Sequence, residues 1–165
     1  MCIRDSSRPE VSAGKNNEII IGDGYSIFAS ICYEVAFQDL FYKYAPQSNL
    51  LFSASNDAWF GETIGPHQHL QIARYRAAEN RKPLIRSTTS GISAVVDEKG
   101  SIIDYIKIDD ERSKRNNSQE INLKLYLFEG NTPINSYGKI PVIVLLLVIL
   151  VVSGYMKFRK IRENL

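Results

Sequence analysis

Short apolar strands alternate with amphipathic helices along most of this chain, which predicts an α/β class. Two further observations frame that prediction. The 165 residues suffice for one domain with a real core, and the sequence shows no internal repeats or low-complexity tracts. The run "IPVIVLLLVILVVSGYM", residues 140–156, carries no charge and lies between Lys139 and Lys157. It predicts one carboxyl-terminal transmembrane helix, since a core helix would show a polar face and this segment has none. A net charge of +2 gives no electrostatic footprint for nucleic acid.

The elements follow in order. "NEIIIGDGYSIFASICYE" reads as two strands around the turn Gly22-Asp23-Gly24. "VAFQDLFYKYA" has helical spacing, with Phe37, Leu40, Phe41 and Tyr44 on one face, and Pro46 ends it. Residues 49–55, "NLLFSAS", form a short buried strand, and "NDAWFGETIGP" is a loop. "HQHLQIARYRAAENRK" is a helix starting near Pro66, a residue suited to the first turn, and Pro83 stops it. "LIRSTTSGISAVVDEKGSIIDYI" reads as a strand pair with Glu98-Lys99-Gly100 as its turn. "DDERSKRNNSQE" is a solvated charged loop, "INLKLYLF" alternates like a last strand, and "EGNTPINSYGK" leads into the apolar run.

Beyond that run, "KFRKIRENL" bunches Lys157, Arg159, Lys160 and Arg162, which places the tail in the cytoplasm and the preceding domain on the far side. The start, "MCIRDSSRPE", lacks the apolar segment of a signal peptide.

Chemistry centres on Cys32, one of two cysteines too far apart and too different in context to suggest a disulfide framework. It sits where a strand ends and a helix soon begins, so nearby N–H groups such as that of Tyr33 could favour the thiolate and an oxyanion. An inert buried cysteine fits the position equally well. A nucleophile needs a base, and the candidates are His67, His69 and Glu34. A papain-type pairing with either histidine and Asn56 has the wrong chain order. His67 and His69, two apart, point in different directions on a helix and suit local hydrogen bonds better than a metal, so no metal site is visible. Arg74, Arg76 and Glu79 are spaced for ion pairing within their helix.

"ICYE", "SNDAWFG" and "GPHQHLQIARYRAAENRKPLIRSTTSGISAVVD", followed by "NTPINSYGKIP", an apolar helix and a basic tail, carry a resemblance. From about Asn17 to the end, the chain resembles the bacterial apolipoprotein N-acyltransferases, membrane members of the nitrilase (carbon–nitrogen hydrolase) superfamily. The resemblance implies a four-layer α-β-β-α sandwich and a Glu–Lys–Cys triad with no cofactor. It implies transfer of an acyl chain from a phospholipid, through a cysteine thioester, to the amino group of a diacylglyceryl-cysteine on an apolipoprotein. Cys32 matches the nucleophile, while Tyr33 and Glu34 match its neighbours, the Glu placed beside the thiol and needed for activity. Trp59 and Phe60 fall on the loop that flanks the substrate entrance, although such aromatics serve core packing equally well. The enzyme would sit in the bacterial inner membrane with its catalytic part facing the periplasm.

Three departures accompany the resemblance, the last smaller than the others. The family's Glu and Lys lie upstream of the cysteine, Lys15 stands in the wrong context for that Lys, and no membrane bundle precedes the domain. "STTSG", residues 87–91, lacks the family's usual Asn. The expected organisation is therefore a carboxyl-terminal fragment: residues 1–16 a non-matching leader with "MCIRDS" as a junction, 17–136 half of the catalytic domain, 137–157 the span with its lead-in, and 158–165 the basic tail. Alone, it is expected to be inactive. The alternatives are a membrane-tethered amidase that resolves its thioester with water, and an anchored module in which Cys32 is structural.

Overall fold

A computed structural model describes residues 19–107 and 121–163. One six-stranded sheet runs in the order β1-β2-β3-β4-β5-β6. Strands β1 (Ile19–Gly22) and β2 (Tyr25–Ile31) form an antiparallel hairpin, with Gly24 at φ 78°, where a side chain would be strained. Strands β3 (Leu50–Ser55) and β4 (Leu84–Thr88) continue parallel to β2, and the antiparallel strands β5 (Ile92–Val96) and β6 (Ile102–Lys107) complete the sheet.

Parallel neighbours need crossovers, and helices supply them. Helix α1 (Gln38–Tyr44) links β2 to β3, and α2 (Gly65–Asn80) links β3 to β4. Both pack on one face of the sheet. There Phe28, Leu51, Leu84 and Val96 stand side by side in register, and Val35, Phe41, Ala45, Ala73 and Ala77 close over them. Phe41 meets Phe28 edge-on at 5.1 Å, and Tyr44 stacks on Phe28 at 5.5 Å. One row further toward the carboxyl ends of β2, β3 and β4, the same face turns polar. Ser30, Ser53 and Arg86 are paired across strands and wholly buried. The opposite face carries Ile20, Ile27, Ala29, Ile31, Phe52 and Ile85, none of them fully buried, with Ile20 and Ile31 more than half exposed.

The short helix α3 (Pro133–Tyr137) is capped by Thr132, whose hydroxyl also donates to the Glu79 carbonyl at 2.7 Å, tying this lead-in to the end of α2. Helix α4 (Ile140–Glu163) follows, and its stretch Ile140–Lys157 is long and apolar enough to cross a membrane, with none of it buried in the protein.

Four expectations change. The predicted strand pair is three strands, because Thr89-Ser90-Gly91 makes a second turn with Gly91 at φ 111°. "INLKLYLF" is not a strand: its alternation defines a face, but a strand also needs a hydrogen-bonding edge, and it finds none among the described residues. Phe37 leaves the core face of α1, since the chain first makes a 3-10 turn over Cys32–Ala36 and places Phe37 at the helix cap, 59 % exposed. Arg76 pairs with Glu79 as its spacing suggests, but Arg74 turns to the Gly100 carbonyl and Gln71. The leader, Lys15 and "DDERSKRNNSQE" lie outside the described residues.

Candidate active site

Open α/β sheets place their sites at the carboxyl ends of parallel strands, and Cys32 occupies that position directly after β2. Its backbone stands at φ 53°. For a residue with a Cβ this left-handed conformation is strained, and it persists only where the surroundings impose it. The surroundings here are a sharp strand-to-turn elbow, packed against β3 and α2. The thiol is free and buried, 5 % exposed.

Glu34 fixes that elbow. Its Oε2 accepts the Ile31 N–H at 2.7 Å, so one carboxylate oxygen holds the backbone that precedes the cysteine. Tyr33 is half exposed, and its ring meets Phe37 at 6.0 Å and His69 at 6.4 Å. Trp59 is 70 % exposed on a 3-10 turn, Ala58–Phe60, and Phe60 packs against His69 at 5.8 Å. The structure thus brings Tyr33 and Phe60 to one histidine ring, while Trp59 stays exposed. His67 is exposed. Asn56 is also exposed, and its Oδ1 accepts from the Ala58 N–H at 3.1 Å in a local turn.

Behind the aromatic residues lies a charged cluster that the sequence did not single out. Asp57, 2 % exposed, receives the Arg86 guanidinium at 2.7 Å, the His69 Nδ1 at 2.8 Å and the Ser55 hydroxyl at 2.5 Å. Burial pushes the Asp57 carboxyl up, but the hydrogen bonds from His69 and Ser55 and the charge of Arg86 outweigh it and hold the group below the usual carboxylate range. The Asp57 N–H donates to the Ser90 carbonyl, and a side chain at Gly91 would come within 2.8 Å of the carboxylate. Asp57 therefore ties β4, α2 and the loop after β4 to the turn that carries Trp59 and Phe60. A signal was present: Arg86 is a charge inside the apolar strand "LIRST", on the same face as Leu84. Among the described residues no group of three or more His, Cys, Asp or Glu side chains is placed to hold a metal ion.

The sequence matches the carbon-nitrogen hydrolase family over residues 6–114. It is similar to proteins named apolipoprotein N-acyltransferase: 56 % identical over 84 residues to that of Photobacterium profundum, covering 50 % of this chain and 16 % of the relative. It is 33 % identical over 142 residues to that of Nitrosomonas europaea, covering 86 % of this chain and 27 % of the relative. The Haemophilus influenzae protein is 37 % identical over 137 residues, 82 % of this chain and 25 % of its own length. The chain thus spans about a quarter or less of these relatives. Among solved structures, Nit3 of Saccharomyces cerevisiae, a member of branch 10 of the nitrilase superfamily, shares the fold. Its TM-score is 0.51 at 23 % identity, over 59 % of this chain and 39 % of that one. A carbon-nitrogen hydrolase from Helicobacter pylori gives a TM-score of 0.51 at 16 % identity, over 59 % and 41 %. With the family model matched over residues 6–114, about two thirds of this sequence, the chain belongs to the carbon-nitrogen hydrolase family.

Proposed function

We propose that this chain carries the nucleophile of an apolipoprotein N-acyltransferase. Cys32 takes an acyl chain from a phospholipid as a thioester and passes it to the amino group of a diacylglyceryl-cysteine on an apolipoprotein. The observation that carries the reading is the strained, buried Cys32 at a strand-end elbow, in a chain that also bears a long, fully exposed apolar helix. A thioester suits this transfer, because thiolate is both a strong nucleophile and a good leaving group toward an amine. The names of the relatives support the substrate class.

In this reading α4 spans the bacterial inner membrane, its tail is cytoplasmic and Cys32 faces the periplasm. Tyr33 and Phe37, in ring contact just after Cys32, are about half exposed or more, as are Trp59 and Ile64, and such exposed apolar side chains suit an acyl chain. The helix-free face of the sheet is where the second sheet of a four-layer sandwich packs, at the ~10 Å spacing of stacked sheets. The Glu and Lys of the triad come from outside this chain, which alone is therefore inactive in the full reaction.

The test is to supply labelled phosphatidylethanolamine to a full-length relative carrying this chain as its carboxyl-terminal part, and to weigh the acyl-enzyme. A hydroxylamine-sensitive label on Cys32, absent from Cys32→Ala, is expected. A label that persists in Cys32→Ala overturns the assignment.

A further inference from the structure

Trp59 is 70 % exposed, so its direction depends on the backbone beneath it rather than on packing of its own. That backbone is the 3-10 turn Ala58–Phe60. Its internal bonds are short-range: Phe60 N–H donates to the Asp57 carbonyl at 3.0 Å, and Gly61 N–H to the Ala58 carbonyl at 3.2 Å. Local bonds of this kind, open to water, hold a turn weakly. Asp57 and Phe60, on either side of Trp59, attach it to the rest of the fold.

Asp57 is the deeper anchor. Its carboxylate meets the Arg86 guanidinium of β4 at 2.7 Å, and neither side chain has any exposed surface. Ser55, at the end of β3, donates to the same carboxylate, and the Asp57 N–H donates to the Ser90 carbonyl beyond β4. Phe60 is the second anchor. Its ring meets that of His69 on α2 at 5.8 Å, and a Cβ at Gly65 would stand 2.5 Å from it. His69 joins the two anchors, because its Nδ1 also lies 2.8 Å from Asp57. A buried ion pair is a poor source of net stability, since apolar side chains of similar volume often serve as well. Its directed hydrogen bonds do hold one geometry, and here that geometry is the segment under Trp59.

We propose that Asp57, with Arg86 as its counter-charge, is a positioning residue for the acyl donor: the pair fixes the turn so that Trp59 is already in place to meet the donor's acyl chain. The inference rests on Cys32 taking that chain from a phospholipid and on Trp59 being one of the apolar side chains that meet it. Ordering a loose turn at the moment of binding costs affinity for every side chain immobilised, and a turn fixed in advance avoids that cost. The role asks for no contact between Asp57 and Cys32 and for no proton transfer. Its signature is weaker donor binding, more than a slower step at the thiol, when the pair is removed.

The test uses a full-length relative carrying this chain as its carboxyl-terminal part, with labelled phosphatidylethanolamine as donor. Asp57→Ala is combined with Arg86→Met, so that no charge is left buried without its partner and the fold is kept. Single-turnover formation of the Cys32 thioester is followed against donor concentration in this variant, in Trp59→Ala and in the two together. We expect half-saturation to rise about 5-fold or more in each, with a smaller loss in maximal rate. All the changes together should be no worse than Trp59→Ala, because the pair acts through that side chain. Additive effects, or less thioester at unchanged half-saturation, mark a packing role and overturn the proposal, as does Trp59→Ala with unchanged half-saturation. Amide exchange gives a reading that needs no turnover. Residues 57–61 should exchange about 5-fold faster or more in the Asp57/Arg86 variant, while β2 and α1 keep the parent's protection. Unchanged exchange over 57–61, or faster exchange throughout, overturns the proposal. A parent that forms no thioester overturns the reading of Cys32 instead, and the exchange arm still decides whether Asp57 and Arg86 hold the turn.

Discussion

At φ 53° Cys32 holds a conformation that costs a side-chain-bearing residue about 1–2 kcal/mol, and glycine almost nothing. Glycine in turn loses about 0.4–1 kcal/mol through its freer unfolded chain. Cys32→Gly is therefore expected to melt at or above Cys32→Ala, the reverse of the usual order, while both abolish thioester formation. A clearly less stable glycine variant would mean that the elbow is not strained. Asp57 invites a second measurement. Its carboxyl lies below the usual range, so the stability it contributes is complete above the ordinary carboxylate value and is lost as pH falls through the lower folded value. Asp57→Asn leaves Arg86 buried without its counter-charge and is expected to cost about 3–5 kcal/mol near neutral pH. Denaturant titrations from pH 7 downward should show the difference between the two proteins shrinking in acid; a constant difference would refute it. Cys32 was legible in sequence because its neighbours are contiguous in "ICYE". The Asp57–His69–Arg86 cluster was not, because its members lie on a loop, a helix and a strand separated by 12 and 17 residues, and only the fold brings them together.

Elements were legible where a periodic pattern met a turn residue, as in β1, β2, α2 and the apolar α4. They were misread where pairing, not pattern, decides. "INLKLYLF" keeps its alternation, partly buried and exposed in turn over residues 121–126, yet joins no ladder. The turn at Thr89-Ser90-Gly91 looked like strand interior because Thr and Ser on either side also suit strands, so a three-residue connection did not stand out. The turn at Gly100 is the opposite case, read correctly and now physically constrained. Its φ is +83°, an added Cβ would stand 2.9 Å from the Arg74 carbonyl oxygen, and the Gly100 carbonyl accepts Arg74 Nε at 2.8 Å. This turn thus joins the β5–β6 hairpin to α2. Gly100→Ala combines backbone strain with a backbone clash and is expected to cost about 1–3 kcal/mol by denaturant unfolding. A change within about 0.5 kcal/mol, the range of ordinary surface substitutions, would show that the hairpin and helix are not held together here.

Over the whole molecule, the lead-in to the proposed span is fastened to the catalytic layer rather than left loose. Thr132 donates to the carbonyl at the end of α2, and α3 packs against both α1 and α2. The Lys139–Asp39 pair at 4.0 Å is exposed on both sides and adds little. A joint of this kind would hold the elbow at a set height over the bilayer that supplies the acyl chains. The direction of the span rests on charge: four basic residues follow residue 156, against the single Lys139 before the run. Cationic flanks stay in the cytoplasm, so the domain is expected outside it. With both native cysteines changed to serine, Lys99→Cys on the exposed β5–β6 turn should react with a membrane-impermeant maleimide in intact spheroplasts. A cysteine appended after Leu165 should react only once the membrane is opened. The reverse pattern would put the nucleophile in the cytosol, away from the periplasmic lipoprotein acceptors that the proposed reaction requires. Reaction of both cysteines without permeabilisation would mean that α4 does not cross the membrane.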